Sequence, residues 1–94
     1  MKTVHAIHIN ELDNCVTLTG NAETGDVVSY LENDSVRTVT ARVSIPIWHK
    51  IAIRPIPSGS EALKYGAVIG VASENIETGD HVHVHNVRSC ARTL

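Results

Sequence analysis

Short β-type runs broken by turn residues dominate this sequence and leave little room for another architecture. Alternation and β-branched residues predict strands over 4–9, 15–19, 26–31, 36–45, 50–56, 62–73 and about 81–87, bounded by Gly, Pro, Asn and Asp. Within 36–45, Val36, Thr38, Thr40 and Arg42 alternate with Arg37, Val39, Ala41 and Val43, the period of two that a strand requires. No stretch repeats apolar residues at the i, i+3, i+4, i+7 spacing of an amphipathic helix. The best place for one short helix is 60–65. The expectation is an all-β chain with at most one short helix, forming a single domain over 1–94.

Phe is absent, and the aromatic residues are one Trp and two Tyr, so the core must be built from Val, Ile, Leu and Ala. A turn sequence also recurs. Glu23-Thr24-Gly25-Asp26-Val27 returns as Glu77-Thr78-Gly79-Asp80-His81-Val82, and Ile56-Pro57-Ser58-Gly59-Ser60 holds a comparable place before another strand. Either hairpins reuse similar turns, or a pseudo-symmetric small β fold launches a bent strand from each of them. Gly66 and Gly70, inside a strand-like run, mark bends, bulges or close backbone approach.

The net charge of −2 and the scattering of eight Lys and Arg argue against a nucleic-acid partner, which calls for a basic stripe. No apolar run approaches the roughly 20 residues that span a bilayer, so no membrane role is expected. The opening Met1-Lys2-Thr3-Val4-His5 lacks a charged-then-apolar leader. Cys15 and Cys90 stand far apart, in no C-x-x-C arrangement, and read as reduced thiols. A soluble, cytoplasmic protein is the expectation.

Histidine is over-represented, with six in 94 residues, and three of them stand at i, i+2 and i+4: His81, His83 and His85. On a continuous strand these share one face, while Val82, Val84 and Val87 supply packing. Imidazole is the commonest ligand for first-row divalent metals and a general base poised near neutral pH. Alternate strand residues lie about 6.5–7 Å apart, so two neighbouring rings can converge on one ion, but the outer pair cannot. A metal site would need one H-x-H pair plus ligands from elsewhere. The plain alternative is a solvated strand face. Ile45-Pro46-Ile47-Trp48-His49-Lys50-Ile51-Ala52 brings a base and a cation to the start of an apolar strand. Lys64-Tyr65-Gly66 places a lysine beside a tyrosine, and either pair can bind a carboxylate or simply face water. Asp13-Asn14 reads as turn chemistry, because such side chains bond their own backbone.

Taken in order, His49-Lys50-Ile51-Ala52, Lys64-Tyr65-Gly66-x-x-Ile69-Gly70-x-Ala72 and Gly79-x-His81-Val82-His83-x-His85-Asn86 resemble the small SAF-type (β-clip) domain of the altronate and galactarate dehydratase family. The same domain occurs as the separate small subunit of sulfolactate sulfo-lyase, and 9–14 is similar to the family's opening segment. The likeness covers nearly the whole chain. Two positions depart from the family pattern: Trp48 stands where the family has Gly, and Asn10 where it has His.

The resemblance implies a β-clip fold with long bent strands and a lyase function, eliminating water from a sugar acid or sulfite from sulfolactate. It implies a divalent metal, iron (Fe2+) by the family's habit, to stabilise an enediolate. His83 and His85, with His81, are then the metal or substrate ligands, and His49 a third ligand or acid/base. Lys50 joins His49 at the catalytic end, and Lys64, Tyr65 and Asn86 contact the hydroxy acid. A shallow domain of 94 residues would struggle to exclude water alone, so a large catalytic subunit is the expected partner. The alternatives are a non-catalytic module that binds a sugar acid or metal, and a structural domain that forms homo-oligomers through its β edges.

Overall fold

A computed structural model describes residues 1–88; Cys90 lies outside the described residues. The described residues form nine strands in chain order: β1 (Thr3–Ile7), β2 (Cys15–Leu18), β3 (Val27–Glu32), β4 (Ser35–Thr40), β5 (Lys50–Ala52), β6 (Glu61–Lys64), β7 (Ala67–Ala72), β8 (His81–Val82) and β9 (Val87–Arg88). Among the described residues there is no helix, so none is long and apolar enough to cross a membrane. The segment 60–65, offered as a helix, is strand β6 entering a tight turn.

Six strands run in the order β4-β3-β1-β2-β5-β8, with β1 and β3 parallel and the other pairs antiparallel. The remaining three form the sheet β6-β7-β9. Strand alternation divides the core in two. Val16 and Ile51 point into one apolar cluster with Val4, Leu18, Val28, Tyr30 and Ile45; Cys15 and Ala52 point into the other, with Ile56, Ala62, Ile76 and Val82. The two central strands thus serve both clusters from opposite faces.

The recurring turn is part of a longer unit, present four times, at 18–27, 41–50, 52–61 and 72–81. Each copy opens on a small or apolar residue (Leu18, Ala41, Ala52, Ala72) and reaches a buried bridge residue four positions on (Ala22, Ile45, Ile56, Ile76). A turn with positive φ follows at Gly25, Trp48, Gly59 and Gly79, and then a strand. The units pair. Gly25 N donates to Ala41 O and Trp48 N to Leu18 O; Gly59 N donates to Ala72 O and Gly79 N to Ala52 O. Ala22 and Ile45 exchange backbone bonds, as do Ile56 and Ile76. One pair therefore builds the first cluster and the other pair the second. Of the two readings of the repeat, the pseudo-symmetric one describes this fold. The copy at 41–50 escaped the sequence pattern because Trp48-His49 replaces its Gly-Asp.

Four expected strands are cut short: 36–45 ends at Thr40 and 50–56 at Ala52, each where a turn unit begins, and two further runs are interrupted. The run 62–73 is a hairpin, turning at Tyr65 (φ 56°) and Gly66 (φ 75°), with a bulge between Ala62 and Leu63. Both central residues carry positive φ, which matches the right-handed twist of the flanking strands. The run 81–87 stops after Val82, and 83–86 form a turn closed by Asn86 N and Val87 N donating to His83 O.

Candidate functional site

The second interruption creates the site. Asn86 is 4% exposed; its side-chain oxygen accepts from His83 N (3.0 Å) and its NH2 donates to His81 O (2.7 Å). Folding the chain back this way replaces a flat row of imidazoles with a cluster. Asn86, expected to contact substrate, is occupied in holding that turn.

His49 enters from the turn before β5, because β5 pairs with β8 and matches Ile51 with His81. Its unit differs from two others in a telling way. Where Glu23 and Glu77 stand, the backbone N–H needs an acceptor, and Asp26 and Asp80 supply one at 2.8 and 2.9 Å. Where Pro46 and Pro57 stand there is no N–H to satisfy. The matching positions are free of that duty, and one of them is His49.

His49 Nδ1 and His81 Nε2 are 2.8 Å apart, and the His49 ring stacks on His83 at 4.2 Å between centroids. The ligand atoms of His49, His81 and His83 lie within 4.8 Å of one another. Two metal–nitrogen bonds of about 2.0–2.1 Å span at most about 4.2 Å, so the rings would draw closer to share one ion. Three imidazoles are the donor set that a first-row divalent ion would take. His85 packs beside His81, at 5.1 Å between rings, outside the convergent group. Spacing left either H-x-H pair open and the resemblance favoured His83 with His85 and His49 as a third ligand; the turn joins His83 to His81 and His49.

Burial holds the His81 imidazole down to about pKa 4, helped by the positive charges that His49, His85, His83 and Lys50 can carry. Burial and His49 also lower His83. Both rings thus keep their lone pairs available at neutral pH. Lys50 is lowered as well, first by burial and then by Lys64, with Cys15 opposing. Lys50, Lys64 and His83 line one groove of about 220 Å³ with Ile69, Val84 and Val87. Two cations therefore border the histidine cluster, as an anion site requires. Lys64 lies over the Tyr65 ring at 4.8 Å, and the ring itself is half exposed.

Asp13 is the residue that sequence reasoning undervalued. It is 1% exposed, and besides the local amide of Asn10 it accepts from Tyr65 N (2.8 Å) and Gly66 N (2.7 Å). Asn14 reinforces it, accepting from Leu63 N and donating to Glu61 O. Together they fasten the β6–β7 hairpin, and with it Lys64, to the main sheet. Cys15 beneath them is a buried free thiol raised to about 11, first by burial. That makes it packing rather than a nucleophile.

A small all-β module with a convergent histidine cluster and an adjoining cationic groove is the class that this fold and site define. Residues 4–90 match the family described as the altronate/galactarate dehydratase SAF domain, and the chain belongs to that family. It is 39% identical over 83 residues to altronate dehydratase of Escherichia coli, covering 88% of this chain but 16% of that protein. It is 37% identical over 76 residues to (2R)-sulfolactate sulfo-lyase subunit alpha of Chromohalobacter salexigens, covering 79% of this chain and 81% of the relative. The corresponding subunit of Paracoccus pantotrophus is 39% identical over 51 residues, which cover 54% of this chain and 76% of that subunit. The chain thus spans a small part of the dehydratase and most of the sulfo-lyase subunit.

Proposed function

We propose that this chain is the small subunit of a hydroxy-acid lyase, completing a β-elimination site with a separate large catalytic chain in the cytoplasm. The observation that carries the reading is the meeting of His49, His81 and His83 beside the Lys50–Lys64 groove. Its support from relatives is the match across most of a protein named as a lyase subunit.

His49, His81 and His83 would hold a divalent ion, iron by the family's habit, which supplies charge stabilisation to an enediolate when bound. Lys50 and Lys64 hold the substrate carboxylate, and Tyr65 borders the same mouth. Elimination removes a proton from the carbon beside that carboxylate while hydroxide or sulfite leaves the neighbouring carbon. The positive groove favours the charge that develops on the carboxylate side. His85, outside the ligand cluster, is placed to hold or pass a proton near His81. The groove is open, so water exclusion falls to the large chain.

The test is co-purification with the large chain, then elimination assays over several sugar acids and sulfolactate, with and without His83→Ala. Turnover that depends on this chain and falls at least about 100-fold in the variant is expected for loss of a metal ligand. Equal turnover by the large chain alone overturns the reading. Tight sugar-acid or metal binding without any turnover would replace it with the binding-module alternative.

A further inference from the structure

Arg54 lies two residues beyond β5 and belongs to neither buried cluster. Its side chain is 44% exposed, yet both ends of its guanidinium are engaged. Nη1 donates to Asp13 O, while Nη2 donates to Glu32 Oε2 (2.9 Å) and reaches Glu11 O at 3.5 Å. Glu32, the last residue of β3, is held on its other oxygen by Arg37 Nε at 3.7 Å. His8 Nε2 stands 4.0 Å from the oxygen that Arg54 uses. An ion pair this exposed contributes little to stability by itself. A planar fork laid on two carbonyls of one turn fixes where that turn lies.

The turn that Arg54 grips is the one that holds Lys64. Asp13 gives its carbonyl to Arg54 and its carboxylate to the Tyr65 and Gly66 amides. Asn14 accepts from Leu63 N through its side chain and donates to Leu63 O through its own amide. Lys64 therefore stands between two anchored residues. Gly66 leaves no slack, since a Cβ there would meet Asn10 Nδ2 at 2.6 Å. A shift of Asp13 carries the hairpin turn with it, and moves Lys64 relative to Lys50 and His83 in the groove they line together.

We propose that Arg54 is the positioning residue for Lys64, acting through the Asp13 turn, with Glu32 holding the guanidinium in place. The inference rests on the lyase-subunit reading, in which Lys64 binds the substrate carboxylate, and adds the device that aims it. Arg54 itself touches neither the groove nor the histidine cluster.

Two measurements test it. On this chain alone, Arg54→Gln should speed amide exchange at Tyr65 and Gly66 about 10-fold and leave the β3–β4 amides unchanged. Arg54→Lys, which keeps the charge but not the fork, should do the same. In the complex with the large chain, assayed on (2R)-sulfolactate and on altronate, Arg54→Gln should lower kcat/KM about 10-fold. In a Lys64→Ala background the same change should cost no more than about twofold, because a residue that acts only through Lys64 has nothing left to aim. Glu32→Gln should follow Arg54→Gln in both backgrounds, with a smaller loss.

An equal loss with and without Lys64 makes Arg54 a general structural support and overturns the inference while leaving the lyase reading intact. Unchanged exchange at Tyr65 and Gly66 overturns it as well. A complex that turns over neither acid, nor any other hydroxy acid, overturns the lyase reading and this inference with it.

Discussion

The carboxylate of Asp13 accepts two amides from a turn more than fifty residues away, and nothing near position 13 announces it. Removing it as Asp13→Ala takes the acceptor from the Tyr65 and Gly66 N–H groups in a part-buried setting. The expected cost is about 2–4 kcal/mol. For a chain of this size that is a Tm drop of at least about 10 °C, read by circular dichroism. The sequence showed an Asx residue fit for a turn, and Asp13 does bond Asn10 locally. Its larger role depends on where β6 and β7 arrive. The histidines divide in the same way. Their chemistry was legible from composition and spacing, but the membership of the cluster was not, because Asn86 decides it by folding His83 back.

The four turn units show how one local design is adjusted from place to place. Glu with a following Asp, or Pro without one, solves the same backbone problem in two ways, and the second releases His49. Asp26 also accepts from the Lys2 amide, and the Glu23 bond is the main reason its carboxyl titrates below the ordinary 3.8, with Lys2 contributing next. A lowered carboxyl favours the folded state above the unfolded value, and that advantage fades as pH falls through 3.8 towards the folded value. The stability difference between the natural chain and Asp26→Asn should therefore be constant near neutrality and shrink below pH 3.8. Melting curves of both proteins across that range check it. Three of these units carried a readable Gly signature. The fourth did not, and the hairpin at Tyr65-Gly66 was missed for a similar reason: a non-glycine residue holds a positive φ that only surrounding contacts enforce.

The molecule as a whole joins segments far apart in sequence at one site. His49 belongs to one pair of units and its cluster, whereas His81 and His83 follow the other. A metal bound by all three would therefore tie the two halves together and stabilise the folded chain alone. At about 100 times its Kd, ferrous or zinc ion should add roughly 2.7 kcal/mol, or about 10 °C or more in Tm. His83→Ala should abolish the gain and His85→Ala should keep it, measured by anaerobic thermal melts. An equal gain in the His83→Ala chain would place the metal elsewhere.

By itself the sequence determined the all-β class, the recurring turn, the aliphatic core and the residue types able to bind a metal and a carboxylate. These follow from local periodicity, from backbone freedom at glycine and from side-chain chemistry, all carried within a few neighbouring residues. The tertiary structure alone decided that β5 lies against β8, that Asn86 ends the histidine strand, and that Asp13 anchors the Lys64 hairpin. It also decided that His85 stands outside the convergent group of His49, His81 and His83. Each of those outcomes depends on hydrogen bonds or packing between residues distant in the chain, whose meeting is set by strand pairing and burial rather than by any local pattern.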